Sequence, residues 1–459
     1  MDPSTPTPGI DDGTAALTQA LLERLRGRMN LIQPSAERRA LVAETLGRLL
    51  ADHQGNGLPA LATEPECDAF IERFLTYDCI EELLADPSVE DIVINSTNPI
   101  FVHRAGEGLV KTDRRFATAR ELDLFVRKLI VFGGRSEVDP INDLELADVR
   151  GRVNIVQSPF GPQITIARGK TQPFTILQLI DTGMFSHELA AQLWLYVEGL
   201  RVRPANLLIS GGPSAGKTTL LNALLSFLPS KDRTVIIEDT LELNTSFLEN
   251  CSRLESCRRV KTPDLVKNSL RMRPERILVG EVRGAEANDL MTTMNLGKYC
   301  MSTLHASTAR ETVLRLQHEP MNVPPVLVSL IDVFVILRKM NTAGQVRRVV
   351  SELVESAGME KEVVLLSTVW SYDAATGKTV ECAPSSVYRD KLAAESGRSA
   401  REIMAETARR SEVLAGMQAS GRFPDIASVT GFCQRYSDDP ARAMAELEMK
   451  PNTPRRPQQ

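Results

Sequence analysis

The chain has 459 residues, 42% of them apolar and 25% charged, with a formal net charge of −5. A length of this order folds as about two to four units that each bury a core, and the mild acidity gives no global attraction to nucleic acid or to an anionic bilayer. No run of about 18 apolar residues is present, since the longest, Val326 to Leu337, is broken by Ser329 and Asp332; any membrane contact therefore has to pass through a partner.

The N-terminal stretch MDPSTPTPGIDDG has acids and prolines where an export signal needs a basic segment and an apolar run, so residues 1–13 are expected as a disordered tail of a cytoplasmic protein. Seven cysteines without CxxC spacing predict reduced thiols, and five histidines that form no ligand cluster predict no structural zinc. Between 14 and 86, Leu17, Leu21 and Leu25, then Val42, Leu46, Leu49 and Leu50, then Phe70, Ile71, Phe74 and Leu75 recur at helical spacing. They predict three amphipathic helices in a small bundle, a packing or docking module.

Residues 87–173 read as an α+β domain. Asp91–Asn95, Ile100–Arg104 and Leu109–Lys111 are β-like around a turn at Gly106-Glu107-Gly108. A helix carrying Leu122, Phe125, Val126, Leu129 and Ile130 follows, then strands at Arg152–Gln157 and Ile164–Arg168. A helical connector over 174–204 carries Leu189, Leu193 and Val197. From 205 to 355, the apolar stretches Asn206–Ser210, Thr234–Ile237 and Arg276–Val279 alternate with helical patterns, which predicts a parallel sheet covered on both faces. Arg347–Val354 and Val363–Tyr372 suggest further strands. The region 356–450 is expected to be mainly helical, with Ser399 and Glu402 as a capping box and Asp425 as a later cap, before an unstructured tail at 451–459.

The strongest chemical signal is Gly211-Gly212-Pro213-Ser214-Ala215-Gly216-Lys217-Thr218, a full GxxxxGK[ST] match directly after an apolar strand and before the helical run that opens at Thr219. Its glycines let backbone N–H groups close around phosphates and the helix N-terminus adds partial positive charge. Lys217 is placed to meet the β- and γ-phosphates of ATP, and the Thr218 hydroxyl to hold Mg²⁺. A glycine-rich turn that binds nothing is the plain alternative.

Two acid-tipped strands come next. The stretch VIIEDTLE delivers Glu238, Asp239 and Glu242 to a strand end, where mutual repulsion calls for a nearby cation such as Mg²⁺; a solvated acidic turn is the alternative. The stretch ILVGE ends in Glu281, the position of a group that orients attacking water, with Gly280 where a magnesium-binding aspartate usually stands. Glu281 then polarises water alone or with Glu242, unless it serves merely as the ion-pair partner of Arg283. His305, in STLHA, ends another apolar run and is a candidate γ-phosphate sensor; a satisfied core histidine is the alternative. Charge developing on the transferred phosphoryl group calls for a cation, which ring ATPases often borrow from a neighbouring subunit, and Arg271, Arg273, Arg150, Arg152 and Arg168 are the candidates.

Taken in order, GGPSAGKTT, IIEDTLEL, LRMRPERILVGEVRG and STLHAS resemble the motifs of the type II/type IV secretion ATPases, over about residues 90 to 350. The stretch MNLGKYCMSTLHASTARETVLRLQHEPMNVP looks most similar to the archaellum and archaeal pilus branch, beside the tight-adherence pilus ATPases. The resemblance implies an α/β fold: a RecA-like P-loop NTPase core preceded by an α+β, PAS-like domain, with the helical bundle before it and a helical C-terminal extension after it. It also implies ATP and Mg²⁺ as cofactors, a homo-hexamer, and a polytopic membrane platform protein as partner, with no direct nucleic acid. Carried over by position, Lys217 and Thr218 are the Walker A pair, Glu242 the acidic-box carboxylate, Glu281 the Walker B glutamate and His305 the histidine-box residue; of a basic pair frequent in relatives only Arg168 is present, beside Ala167. The competing readings are a RecA-like nucleic-acid motor, such as a helicase or conjugative coupling ATPase, and a scaffold without turnover.

Overall fold

The computed structural model of the chain describes residues 12–448 apart from 32, 53–60, 62, 105–106, 147–150, 169–172, 258 and 343–344. The tails expected at 1–13 and 451–459 lie outside the described residues, except for Asp12 and Gly13, which open the first helix; Gly106 of the expected turn and Arg150 also lie outside them. The chain divides into two units, 1–171 and 172–459.

In the first unit six described strands form an antiparallel sheet: β1 (Val89–Ile94), β2 (Ile100–Arg104), β3 (Gly108–Lys111), β4 (Ile141–Leu146), β5 (Gly151–Ser158) and β6 (Gly161–Arg168), in the order β3-β2-β1-β6-β5-β4. Side chains alternate between faces along a strand, so Ile92 and Ile94, Val153 and Ile155, and Ile164 and Ile166 put one apolar face on the sheet, all buried. The helix Ala119–Phe132 contributes the Leu122, Phe125, Val126, Leu129 and Ile130 stripe to the same core. Helices Asp12–Leu25, Ser35–Asp52 and Glu64–Leu75 add Leu17, Leu21, Leu46 and Phe74 to it, so bundle and sheet share one continuous core rather than two.

In the second unit nine described strands form one sheet. They are β7 (Leu207–Gly211), β8 (Thr234–Glu238), β9 (Cys251–Glu255), β10 (Arg276–Val279), β11 (Tyr299–Leu304), β12 (Val333–Thr342), β13 (Gln345–Glu360), β14 (Val363–Asp373) and β15 (Lys378–Glu381). Their order is β15-β14-β13-β12-β7-β11-β10-β8-β9, parallel from β12 to β9 and antiparallel from β12 to β15. Alternation again sorts the side chains: Leu207, Ile209, Ile236 and Leu278 enter the core on one face, and Leu208, Val235, Ile237, Ile277 and Val279 that on the other. The expected α/β core with apolar cores on both faces of the sheet is thus present.

The C-terminal region is bound into this unit. The boundary expected at 355 falls inside β13, and helices Ala400–Ser420 and Ile426–Asp438 pack on His187–Glu198, the helix that precedes β7. Trp194 stacks on Phe227 with ring centroids 5.1 Å apart, and the Arg410 guanidinium lies 4.8 Å from the Trp194 ring centre. Arg410 is fully buried and pairs with Glu198 and, at 3.0 Å, with Glu406. Among the described residues no helix is long and apolar enough to cross a membrane. Removing the Arg410 cation strands the buried Glu198 carboxylate and leaves Glu406 with Arg409 and the Tyr436 hydroxyl, so Arg410→Ala is expected to lower unfolding free energy by about 3–5 kcal/mol in urea titration. Arg409→Ala, which loses a partly exposed pair with the same Glu406, should cost under about 1 kcal/mol.

Candidate functional site

β7 ends at Gly211, and the loop to Gly216 leads into the helix Lys217–Leu224. A Cβ on Gly211 would stand 2.8 Å from the Leu337 carbonyl oxygen and 3.1 Å from Ala215 Cβ, so a side chain there has no room. Gly216 is needed for a different reason, its φ of +99°. Gly216 caps the helix without offering a side-chain partner to the first-turn amides, which include those of Lys217, Thr218 and Thr219. Helix amides left in this way are the usual donors to a bound anion.

Lys217 is 8% exposed, and its Nζ lies 3.2 Å from the Gly211 carbonyl oxygen and 3.3 Å from that of Gly212. Burial depresses its pKa, while Glu281 and Glu242 pull it back up. The same Nζ is 3.2 Å and 3.4 Å from the two ring nitrogens of His305. Near-equal distances place the ammonium against the ring as a whole rather than on one lone pair. His305 stands just past β11, and its Nε2 is 3.0 Å from Glu281 Oε1.

Glu281, just past β10, thus touches His305 with one oxygen and, at 2.9 Å, Arg283 Nη2 with the other. The ion pair with Arg283 that competed with a working role is present, but Arg283 is 66% exposed and leaves Glu281 facing the phosphate loop's lysine as well. Gly280 has a steric reason. A Cβ there would lie 3.2 Å from Glu238 Cγ, so any larger residue at 280 crowds the buried Glu238 side chain at the end of β8.

The acidic stretch resolves its repulsion differently from expectation. Glu238 is buried and accepts the N–H groups of Glu242 and Leu243, each at 2.9 Å, with Arg253 Nη2 at 3.3 Å. Asp239 accepts from Ser256 Oγ at 2.9 Å and Thr262 Oγ1 at 2.6 Å. Two of the three carboxylates are therefore compensated by protein groups, and mutual repulsion does not itself call for a metal ion. Glu242 acts electrostatically on Lys217. Among the described residues no group of three or more His, Cys, Asp or Glu side chains could hold a metal ion; Mg²⁺ beside a nucleotide needs just one or two carboxylates, the rest coming from phosphates and water.

The arginines are scattered. Arg271 and Arg273 precede β10, at the end of the sheet opposite Glu281, and both are exposed. Arg168 ends β6 in the first unit, where Nη1 donates to the carbonyls of Asp86 and Val89. Arg152 is 3.8 Å from Asp143. Sequence reasoning passed over three others: Arg253, on a strand too polar to be read as one; Arg315, which donates to the His305 carbonyl; and Arg348, whose Nε donates to the Ser214 carbonyl at 2.9 Å. No motif flags them.

A phosphate loop on the central strand of such a sheet, faced by a carboxylate and a histidine on neighbouring strand ends, defines an α/β P-loop protein. The type II/IV secretion system protein family matches residues 140–400, and the chain belongs to that family. An uncharacterised protein of Methanocaldococcus jannaschii is 33% identical over 358 residues, 74% of this chain and 64% of that protein, so the chain spans less than two thirds of that relative. A conjugal transfer protein TrbB of Rhizobium radiobacter is 28% identical over 58% of this chain and 84% of its own length. The crystal structure of the pilus retraction motor PilT with bound ADP aligns with 81% of this chain and 96% of its own, at 16% identity and a TM-score of 0.47.

Glu238 offers a direct check on this local architecture. Its burial holds the carboxyl above the ordinary value of 4.5, against the pull of Arg253 and the two amides. The folded chain then keeps a proton that the unfolded chain has lost, so this group's contribution to stability falls as pH rises from about 4.5 through the raised value. Glu238→Gln should abolish that slope in pH-dependent unfolding. Glu238→Ala, which strands two amides and a guanidinium, should cost at least about 2 kcal/mol.

Proposed function

We propose that the chain is an ATP-hydrolysing motor of a type II/type IV secretion, type IV pilus or archaellum-like machine, working as a homo-hexameric ring at the cytoplasmic face of a membrane on a polytopic platform protein. The observation that carries this reading is the line of contacts from Lys217 through His305 to Glu281, set beside a glycine-lined phosphate loop.

Each residue has a role in the proposal. Residues 211–219 cradle the phosphates with backbone N–H groups, and Lys217 exchanges its two carbonyl contacts for phosphate oxygens. When bound with the nucleotide, Mg²⁺ would supply charge neutralisation for the phosphates. Thr218, Glu242 and Glu281 fit it, being oxygen donors of the kind a hard cation takes, two of them close enough to act on Lys217. Glu281 orients the attacking water, and His305, between lysine and carboxylate, feels whether the γ-phosphate is attached. Arg271 and Arg273, on the far edge of the sheet, can serve the site of another copy. Arg168 has Nη1 committed to carbonyls and Nε buried, so a catalytic part would fall to Nη2.

Lys217→Ala is expected to abolish ATP turnover by the full chain, and Glu281→Gln to lower kcat by about 100-fold or more while ATP still binds. Turnover by the Lys217 variant at the normal rate would refute the site. Adding duplex or single-stranded DNA should leave the rate unchanged; strong, salt-sensitive stimulation would favour a nucleic-acid motor instead.

A further inference from the structure

The pairing of β12 with β7 ends at Leu337 opposite Gly211, yet β12 runs on to Thr342 and returns as β13. The hairpin therefore overhangs the phosphate loop at the edge of the sheet where the site lies. Between Ile336 and Leu337 the β12–β13 register shifts, from Glu352 to Val350, which leaves Ser351 as a bulge. Bulges bend and twist a strand and re-aim the side chains beyond them. Past this one, Val349 and Val350 are both buried, Val350 N–H donates to the Met184 carbonyl at 3.0 Å, and Arg348 turns over the loop.

Arg348 meets the loop at two places. Its Nε donates to the Ser214 carbonyl at 2.9 Å, and its Cδ lies 3.5 Å from where a Cβ on Gly216 would stand, with Met184 Cε at the same distance. Ser214 is the residue that needs holding: its φ is +55°, a left-handed conformation that side chains other than glycine adopt at a cost.

We propose that Arg348 is a positioning residue for the phosphate loop, clamping Ser214 in its left-handed conformation so that the loop amides stay converged on the phosphates. The idea rests on the nucleotide-binding reading above and extends it to a residue outside the motifs. A clamp on the loop acts on whatever the loop holds, so ATP and ADP must depend on it alike. A group touching the γ-phosphate would instead favour ATP alone.

The test is the affinity of the full chain for fluorescent ATP and ADP analogues with Mg²⁺, together with steady-state ATPase. Arg348→Ala is expected to weaken both nucleotides by about tenfold, and to raise KM by that factor with kcat within about twofold. Thermal unfolding should be unchanged, and Arg348→Lys should recover part of the affinity. Arg347→Ala, one residue away and so on the opposite face of the strand, should alter neither affinity. If Arg348→Ala does not fold, Arg348→Met keeps an apolar stem over Gly216, drops every N–H donor to the Ser214 carbonyl and carries the same expectations. Unchanged affinities, or loss of ATP binding with ADP binding kept, would overturn the clamp. A wild-type chain that binds neither nucleotide, with Lys217→Ala indistinguishable from it, would overturn the nucleotide reading and the clamp with it.

Discussion

Parallel strands lie about 4.8 Å apart, so the ends of β7 and β10, with β11 between them, are separated by roughly 10 Å. At that span the groups delivered by the phosphate loop and by the Glu281 strand need something in between. The intervening strand ends in His305, whose ring touches Lys217 on one side and Glu281 on the other. Strand order thus turns two remote groups into one chain of contacts, because a side chain at the end of β11 stands between them and touches both. On the proposed function, a change on the phosphate side would reach the carboxylate through this ring.

The surroundings keep these groups available. Glu238, which could compete for Lys217 or for a metal ion, is held by two backbone amides and Arg253, and its side chain crowds a Cβ at 280. Asp239 is spent on hydroxyls. Glu242 and Glu281 are the carboxylates that act on the buried lysine, whose own charge is disfavoured by burial. A desolvated cation held by weak carbonyl contacts is well prepared to meet an anion, because a phosphate repays a desolvation that neutral oxygens compensate poorly.

Much of the chemistry was legible because it is local. A phosphate loop needs glycines at fixed offsets, and buried parallel strands read as short apolar runs, so β7, β8 and β10 and the residues at their ends were visible in order. Pairing was not. That Glu238 would turn inward and satisfy its neighbours' amides depends on Arg253, which sits on β9, a half-buried edge strand of sequence CSRLE without apolar alternation. The β12–β13 hairpin was read in part as an apolar run and in part as a strand, and nothing in it announces a bulge or the aim of Arg348. Likewise the N-terminal helices showed their apolar stripes and the C-terminal ones their caps, but neither says what covers a helix; the shared cores, and Arg410 reaching Glu198, follow from tertiary contacts alone.

The central claim is that His305 and Glu281 act as one unit on the phosphoryl group. A double-mutant cycle on ATP turnover measures that directly, using His305→Ala, Glu281→Gln and the pair. Coupled groups predict a double variant hardly slower than the slower single one. Losses that simply multiply would show the two residues to be independent, and the contact between them to be incidental.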